Sequence, residues 1–196
     1  MGLMESLNQT LFLAINAGSH PPEALRLFAL FSAEVLIYLL ALGLVLGWLR
    51  GRGQARQVLI YAGMAALAAL ALNQLIGLVW FHPRPFELGL GHTFASHSPE
   101  TSFPSDHAAV FFSVTLALLR QPGLRSWGFA LLPISLLVAW SRIWLGLHFP
   151  LDMLGSLLVS AVVVLFLHRP LVGISRRLNA LAGRWLGALR LRAAGS

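Results

Sequence analysis

The chain has 196 residues, 57% hydrophobic and only 11% charged, where soluble domains carry about 25% charged residues. Fourteen basic residues stand against seven acidic ones, a formal net charge of +7, and every basic residue is an arginine. The composition excludes a disordered or collagenous chain and argues against a soluble domain. It is also too apolar for a nucleic-acid partner, whose binder would carry its charge on a solvated face. Cysteine is absent, which removes disulfides, thiolate metal sites and a Cys nucleophile.

In chain order, Met1–Gln9 carries Glu5 and no Arg, so it lacks the basic start of a cleavable signal peptide. Leu3–Ala17 alternates polar and apolar residues at helical spacing and is too short to cross a bilayer comfortably. It reads as an interfacial or short N-terminal helix within residues 1–20. Apolar stretches then predict spans near Ala24–Leu49, Gln57–Phe81, Ser105–Leu119, Trp127–Leu145 and Leu151–His168. The third is short for a span, which requires tilt or a start below the membrane surface. Leu171–Arg192 is amphipathic, Arg-rich and carries Trp185, predicting a cytoplasmic tail over residues 171–196. With no repeat or low-complexity linker, residues 1–196 read as one domain. The expected fold is an all-α polytopic membrane bundle of five to six transmembrane or interfacial helices.

Arginines orient the bundle. Arg50, Arg52 and Arg56 lie between the first two spans, Arg120 and Arg125 between the third and fourth, and Arg169, Arg176, Arg177, Arg184, Arg190 and Arg192 after the fifth. If the spans alternate, all eleven share one side, which the positive-inside rule makes cytoplasmic. Arg26, Arg84 and Arg142 remain at the outer ends.

Two outer segments, Phe81–His107 and Ser141–Asp152, hold five of the seven His and four of the seven acids. Pro104-Ser105-Asp106-His107 opens the third span, where a helix N-terminus attracts an anion and Ser105 adds a hydroxyl donor. Pro150 suits the first turn of the fifth helix. Asp152, four residues beyond His148, can fix the tautomer of that imidazole and raise the basicity of its other nitrogen. Arg84 and Arg142 offer planar forks for phosphate oxygens.

Each residue also has a plainer reading. His82, His92 and His97 can be structural hydrogen-bonders. An outer Arg can snorkel to headgroups, and Asp152 can simply favour a helix dipole. Against this stands the conjunction of two Arg, two helix-start His, a Ser and an Asp at one membrane face.

At this point the motifs resemble a known family. P-S-D-H (Pro104–His107) and S-R-x5-H-x3-D (Ser141, Arg142, His148, Asp152) resemble the second and third motifs of type 2 phosphatidic acid phosphatases, membrane relatives of vanadium haloperoxidases, and P-R-P-F at Pro83–Phe86 resembles the end of the first. That first motif usually begins with Lys seven residues before the Arg, where this chain has Gly77. With H-P-R-P-F, G-H-T-F and S-F-P-S-D-H, the pattern is similar to the undecaprenyl pyrophosphate phosphatase branch. The resemblance implies His148 as nucleophile forming a phosphohistidine, Asp152 as its orienter and His107 as acid and then base. Arg84, Ser105 and Arg142 would hold the phosphoryl oxygens, with His82 or a residue of the outer loop in the place of the missing Lys. It implies no metal and no cofactor, a polyprenyl pyrophosphate lipid as substrate, and a multi-pass protein of a bacterial inner membrane with its site facing the periplasm or cell exterior.

Other readings are a phosphatase or phosphotransferase for phosphatidylglycerol phosphate or lipid A, metal-dependent hydrolysis by the His-rich loop, and a transporter. The transporter reading rests on Glu34, placed by residue count near the middle of the first span. Its plainer account is a hydrogen bond to Asn73, at similar depth in the second span. Trp48, Trp80 and Trp127 fall at span ends as interfacial anchors, while Trp140 and Trp144 could line a lipid groove.

Overall fold

The computed structural model describes residues 2–96 and 98–194. These residues form a helical membrane bundle: α1 (Leu3–Ile15), α2 (Glu23–Leu30), α3 (Leu36–Arg50), α4 (Gly53–Val79), α5 (Asp106–Leu119), α6 (Arg125–Trp144), α7 (Pro150–Phe166) and α8 (His168–Ala194). A π turn at Phe31–Val35 joins α2 to α3, giving one continuous helix, Glu23–Arg50. That helix, α4 and Pro122–Trp144 are each long and apolar enough to cross a membrane. The pair α7–α8, bent by 70°, has the composition of a fourth span.

The short helix α5 is the hub. Its 14 residues rise about 21 Å, less than a bilayer core of about 30 Å, but α4, α6 and α7 surround it. Ala108, Phe111, Phe112, Val114, Ala117 and Leu118, spread around the helix, are all buried, as expected of a helix that is apolar on every side. Hydroxyls join it to its neighbours: Ser113 Oγ donates to Ser160 Oγ at 2.9 Å, Thr115 Oγ1 meets Ser135 Oγ at 2.8 Å, and Ser160 Oγ also reaches the Ala109 carbonyl. In hydrocarbon such bonds join helices that a hydrophobic driving force does not.

Helix α1 is a short N-terminal helix that packs one face on the bundle. Asn8, Phe12 and Asn16, spaced at i, i+4 and i+8, turn inward against α6 and α7. Asn8 Oδ1 accepts from the Leu151 N–H, Phe12 packs edge-on to Phe149, and Asn16 bonds the His92 N–H and the His92 and Trp144 carbonyls. At the opposite end, Arg56 reaches the Trp48 carbonyl and lies over its ring, while His168 Nδ1 meets the Tyr61 hydroxyl. Helix α8 packs on α4, with Leu171 and Ser175 buried. The side chains of Trp185, Arg190 and Arg192, like residue His97, lie outside the described residues.

One expectation is overturned. Glu34 and Asn73 do not pair, because Asn73 faces α5 and donates to Asp106, whereas Glu34 sits exposed on the π turn that packs against α6. Trp140 and Trp144 flank the second outer segment. They pack on one another and, through Trp144, on Phe94 of the outer loop.

Candidate active site

Four helix ends meet at one end of the bundle: the C-termini of α4 and α6 and the N-termini of α5 and α7. The α5–α7 junction is closed by Ser156 Oγ donating to the Ser105 carbonyl at 2.8 Å, and the α4–α5 junction by Asn73 and Gln74 donating to Asp106. Because α4, α5 and α6 alternate in direction, Arg50, Arg52, Arg56, Arg120 and Arg125 fall at the far end.

The centre is His148, 2% exposed, with Asp152 at 1%, Arg84 at 4% and Arg142 at 2%. Gly146 makes the approach possible. Its φ of +82° turns the chain after α6, and a Cβ there would strike the His92 carbonyl. Pro150 then starts α7, and Asp152 caps it by accepting the Phe149 N–H at 2.8 Å. The same carboxylate oxygen lies 3.2 Å from His148 Nδ1, which also lies 2.9 Å from the Ser102 carbonyl. With two acceptors beside it, Nδ1 carries the proton. Nε2 faces two donors, Arg84 Nη1 at 3.1 Å and Arg142 Nη2 at 3.4 Å, so its lone pair points at the guanidiniums. This is the tautomer that a nucleophilic imidazole needs.

Arg84 is fixed before any ligand arrives. Its Nε donates to the Glu100 carbonyl at 3.1 Å, Nη1 to Leu147 at 3.1 Å and Nη2 to Thr101 at 3.4 Å, while its N–H donates to Glu87 Oε2. Burial pushes its pKa down, and the carboxylates of Asp152, Glu100, Glu87 and Asp106 oppose that shift. Among the described residues Ser105 Oγ is buried without a hydrogen-bond partner at the α5 N-terminus, where the first backbone N–H groups have no partner within the helix ladder. Two guanidiniums, a hydroxyl and helix N-termini together can neutralise phosphoryl oxygens. His107 is half-buried in the first turn of α5.

The other expected residues go elsewhere. His82 Nε2 lies 3.3 Å from Glu5 Oε2 and its ring packs edge-on to Phe149. The backbone of His92 anchors α1 to the outer loop. Arg26 forks onto Glu23. The place of the missing Lys is closed: a Cβ at Gly77 would come within 2.8 Å of Thr101 Cγ2, so the outer loop lies where a longer side chain would begin.

Sequence reasoning missed Ser102. It is fully buried, takes the His148 Nδ1–H on its carbonyl, and donates from its hydroxyl to Asp152 Oδ2. Ser102→Ala is expected to lower kcat/KM about ten-fold or more, since a hydrogen bond to a charged group contributes about 1.5–3 kcal/mol. Steady-state kinetics, with melting to confirm folding, check this.

A groove of about 600 Å³ lies between α3, α4, α5 and α6, reaching from mid-bundle toward the end away from the site. Leu36, Gly43, Gly47, Phe111, Trp127 and Ile134 line it, with little polar surface. Phe111 stands one helical turn below His107 on α5.

Fold and cluster define the class: a multi-pass membrane protein with two buried guanidiniums facing a buried histidine. The sequence pattern of the PAP2 superfamily matches residues 57–173, and the chain belongs to that superfamily. It is 40% identical over 157 residues to the undecaprenyl-diphosphatase BcrC of Bacillus subtilis, covering 80% of each protein. It is 38% identical over 160 residues to the putative undecaprenyl-diphosphatase YbjG of Escherichia coli, covering 82% of this chain and 80% of that one. Among solved structures it is similar to LpxE of Aquifex aeolicus, with a TM-score of 0.64 over 87% of this chain and 95% of that one. At 23% identity that likeness concerns the fold alone.

Proposed function

We propose that the protein hydrolyses undecaprenyl diphosphate to undecaprenyl phosphate and inorganic phosphate. The observation that carries this reading is the His148 Nε2 lone pair facing Arg84 and Arg142 where four helix ends meet. The two relatives named as undecaprenyl-diphosphatases support the choice of lipid.

His148 Nε2 attacks the terminal phosphorus while the bridging P–O bond breaks. The lipid phosphate leaves with the electron pair and takes a proton from His107. Water then attacks the phosphohistidine, His107 takes its proton, and the P–N bond returns its pair to Nε2. Arg84, Arg142, Ser105 and the α5 N–H groups stabilise the charge that builds on the phosphoryl oxygens. Asp152, itself held by Ser102, keeps the imidazole in its working tautomer. The site faces the outside of a bacterial inner membrane, opposite the cytoplasmic arginines.

The test is phosphate release by the detergent-solubilised protein from undecaprenyl diphosphate, farnesyl diphosphate, phosphatidic acid and phosphatidylglycerol phosphate, with and without EDTA. Diphosphates are expected to be preferred and EDTA to have no effect; preference for a phosphomonoester, or loss of activity with chelator, overturns the reading. Gly43 has open space at its Cβ within the groove. Gly43→Leu is expected to raise KM for the long-chain substrate about ten-fold while sparing farnesyl diphosphate.

A further inference from the structure

One charged group at the site has no part in the chemistry above. Asp106 is the first residue of α5, between Ser105 and His107. Two neutral amides of α4 occupy its carboxylate: Asn73 Nδ2 donates to Oδ1 at 2.9 Å and Gln74 Nε2 to Oδ2 at 3.0 Å. Asn73 is 2% exposed, and its own Oδ1 is buried with no hydrogen-bond partner. Leaving an amide oxygen orphaned in a core costs free energy, so donation to Asp106 sets the orientation of that amide. The carboxylate is therefore held in place by neutral donors, and among the described residues no ion pair involves it. It stands at the same helix start as Ser105 and His107, and is one of the carboxylates that act on the Arg84 guanidinium.

The consequence concerns product. Hydrolysis of the phosphohistidine leaves a phosphate anion between two buried arginines, Ser105 and a helix N-terminus, all of which retain it. The lipid substrate adds its tail's contacts to the same anion binding, and inorganic phosphate does not. A fixed negative charge at the helix start that holds Ser105 weakens anion binding throughout, a loss the tailed substrate tolerates and the free product does not.

We propose that Asp106, clamped by Asn73 and Gln74, is a positioning residue that sets the anion affinity of the site low enough for inorganic phosphate to leave. The inference rests on the phosphate-site reading above. The test uses the purified full chain, with inorganic phosphate as competitive inhibitor of diphosphate hydrolysis and its binding read independently by thermal stabilisation. Asp106→Asn, nearly isosteric, and Asp106→Ser, smaller but neutral, are each expected to bind phosphate about ten-fold more tightly, with kcat reduced more than kcat/KM. Damaged structure loosens ligands, so tighter binding separates this role from a merely architectural one. Unchanged or weaker phosphate binding in both variants overturns the proposal. Arg142→Gln serves as control and is expected to weaken phosphate binding. If it does not, the site reading fails and the inference falls with it.

Discussion

Replacing His148 with alanine is expected to abolish phosphate release, a loss of about 10⁴-fold or more, because no second group can form the covalent intermediate. The geometry leaves little room for substitution of roles. Nε2 is the atom that both Arg84 and Arg142 face, and Nδ1 is committed to the Ser102 carbonyl and Asp152. A water activated by another base would have to approach a phosphorus held for attack from the imidazole side. The variant removes a buried ring and should lose some stability, but the bundle is closed elsewhere by the α4–α5, α5–α6 and α5–α7 packing. Helix content and monodispersity in detergent should therefore match the parent. Incubation with labelled diphosphate should give a nitrogen-linked phosphoenzyme in the parent and none in His148→Ala. Full activity in a folded His148→Ala protein sinks the nucleophile assignment.

Much of this arrangement was legible because it is local in sequence. The His148–Pro150–Asp152 spacing sets an imidazole just outside a helix and its carboxylate at the third helical position, whatever surrounds them. Arg84 between two prolines and Ser105 before a helix start are equally local signals. The spans were legible because apolar length is itself the constraint: Gln57–Phe81 became Gly53–Val79, and Ala24–Leu49 became Glu23–Arg50. Ser102 was not legible, since it acts through a carbonyl and a hydroxyl in an extended loop 46 residues from His148. No periodicity marks such a residue. The Glu34–Asn73 pairing failed because counting residues gives depth but not azimuth. A π turn changes the rotation of everything after it, and Asn73 looks toward α5. In α1, the inward stripe contains two asparagines that bond backbone groups of other elements. Amphipathicity alone does not separate such a stripe from one facing lipid.

His107→Ala is expected to lower kcat by about 10²–10⁴-fold, the range for a positioned acid–base group, and to do so unequally in the two steps. In the first, the leaving group is a lipid phosphate, already a stable anion, so protonation helps it only modestly. In the second, the nucleophile is water, which must lose a proton as it attacks the phosphohistidine. Removing one group that serves as acid and then base thus slows dephosphorylation more than phosphorylation. The variant should release close to one lipid monophosphate per protein in a burst and then stall. Its phosphate should remain bonded to nitrogen, labile to acid and stable to base. His107 occupies the first turn of α5, next to Ser105, at the helix start proposed to receive the phosphoryl oxygens, so a single side chain there can serve both steps. A folded His107→Ala protein that turns over slowly with no burst and no accumulated phosphoenzyme assigns the water-activating base to a different group. Phosphate release would then depend on the charge around Arg84 and Arg142 more than on proton transfer.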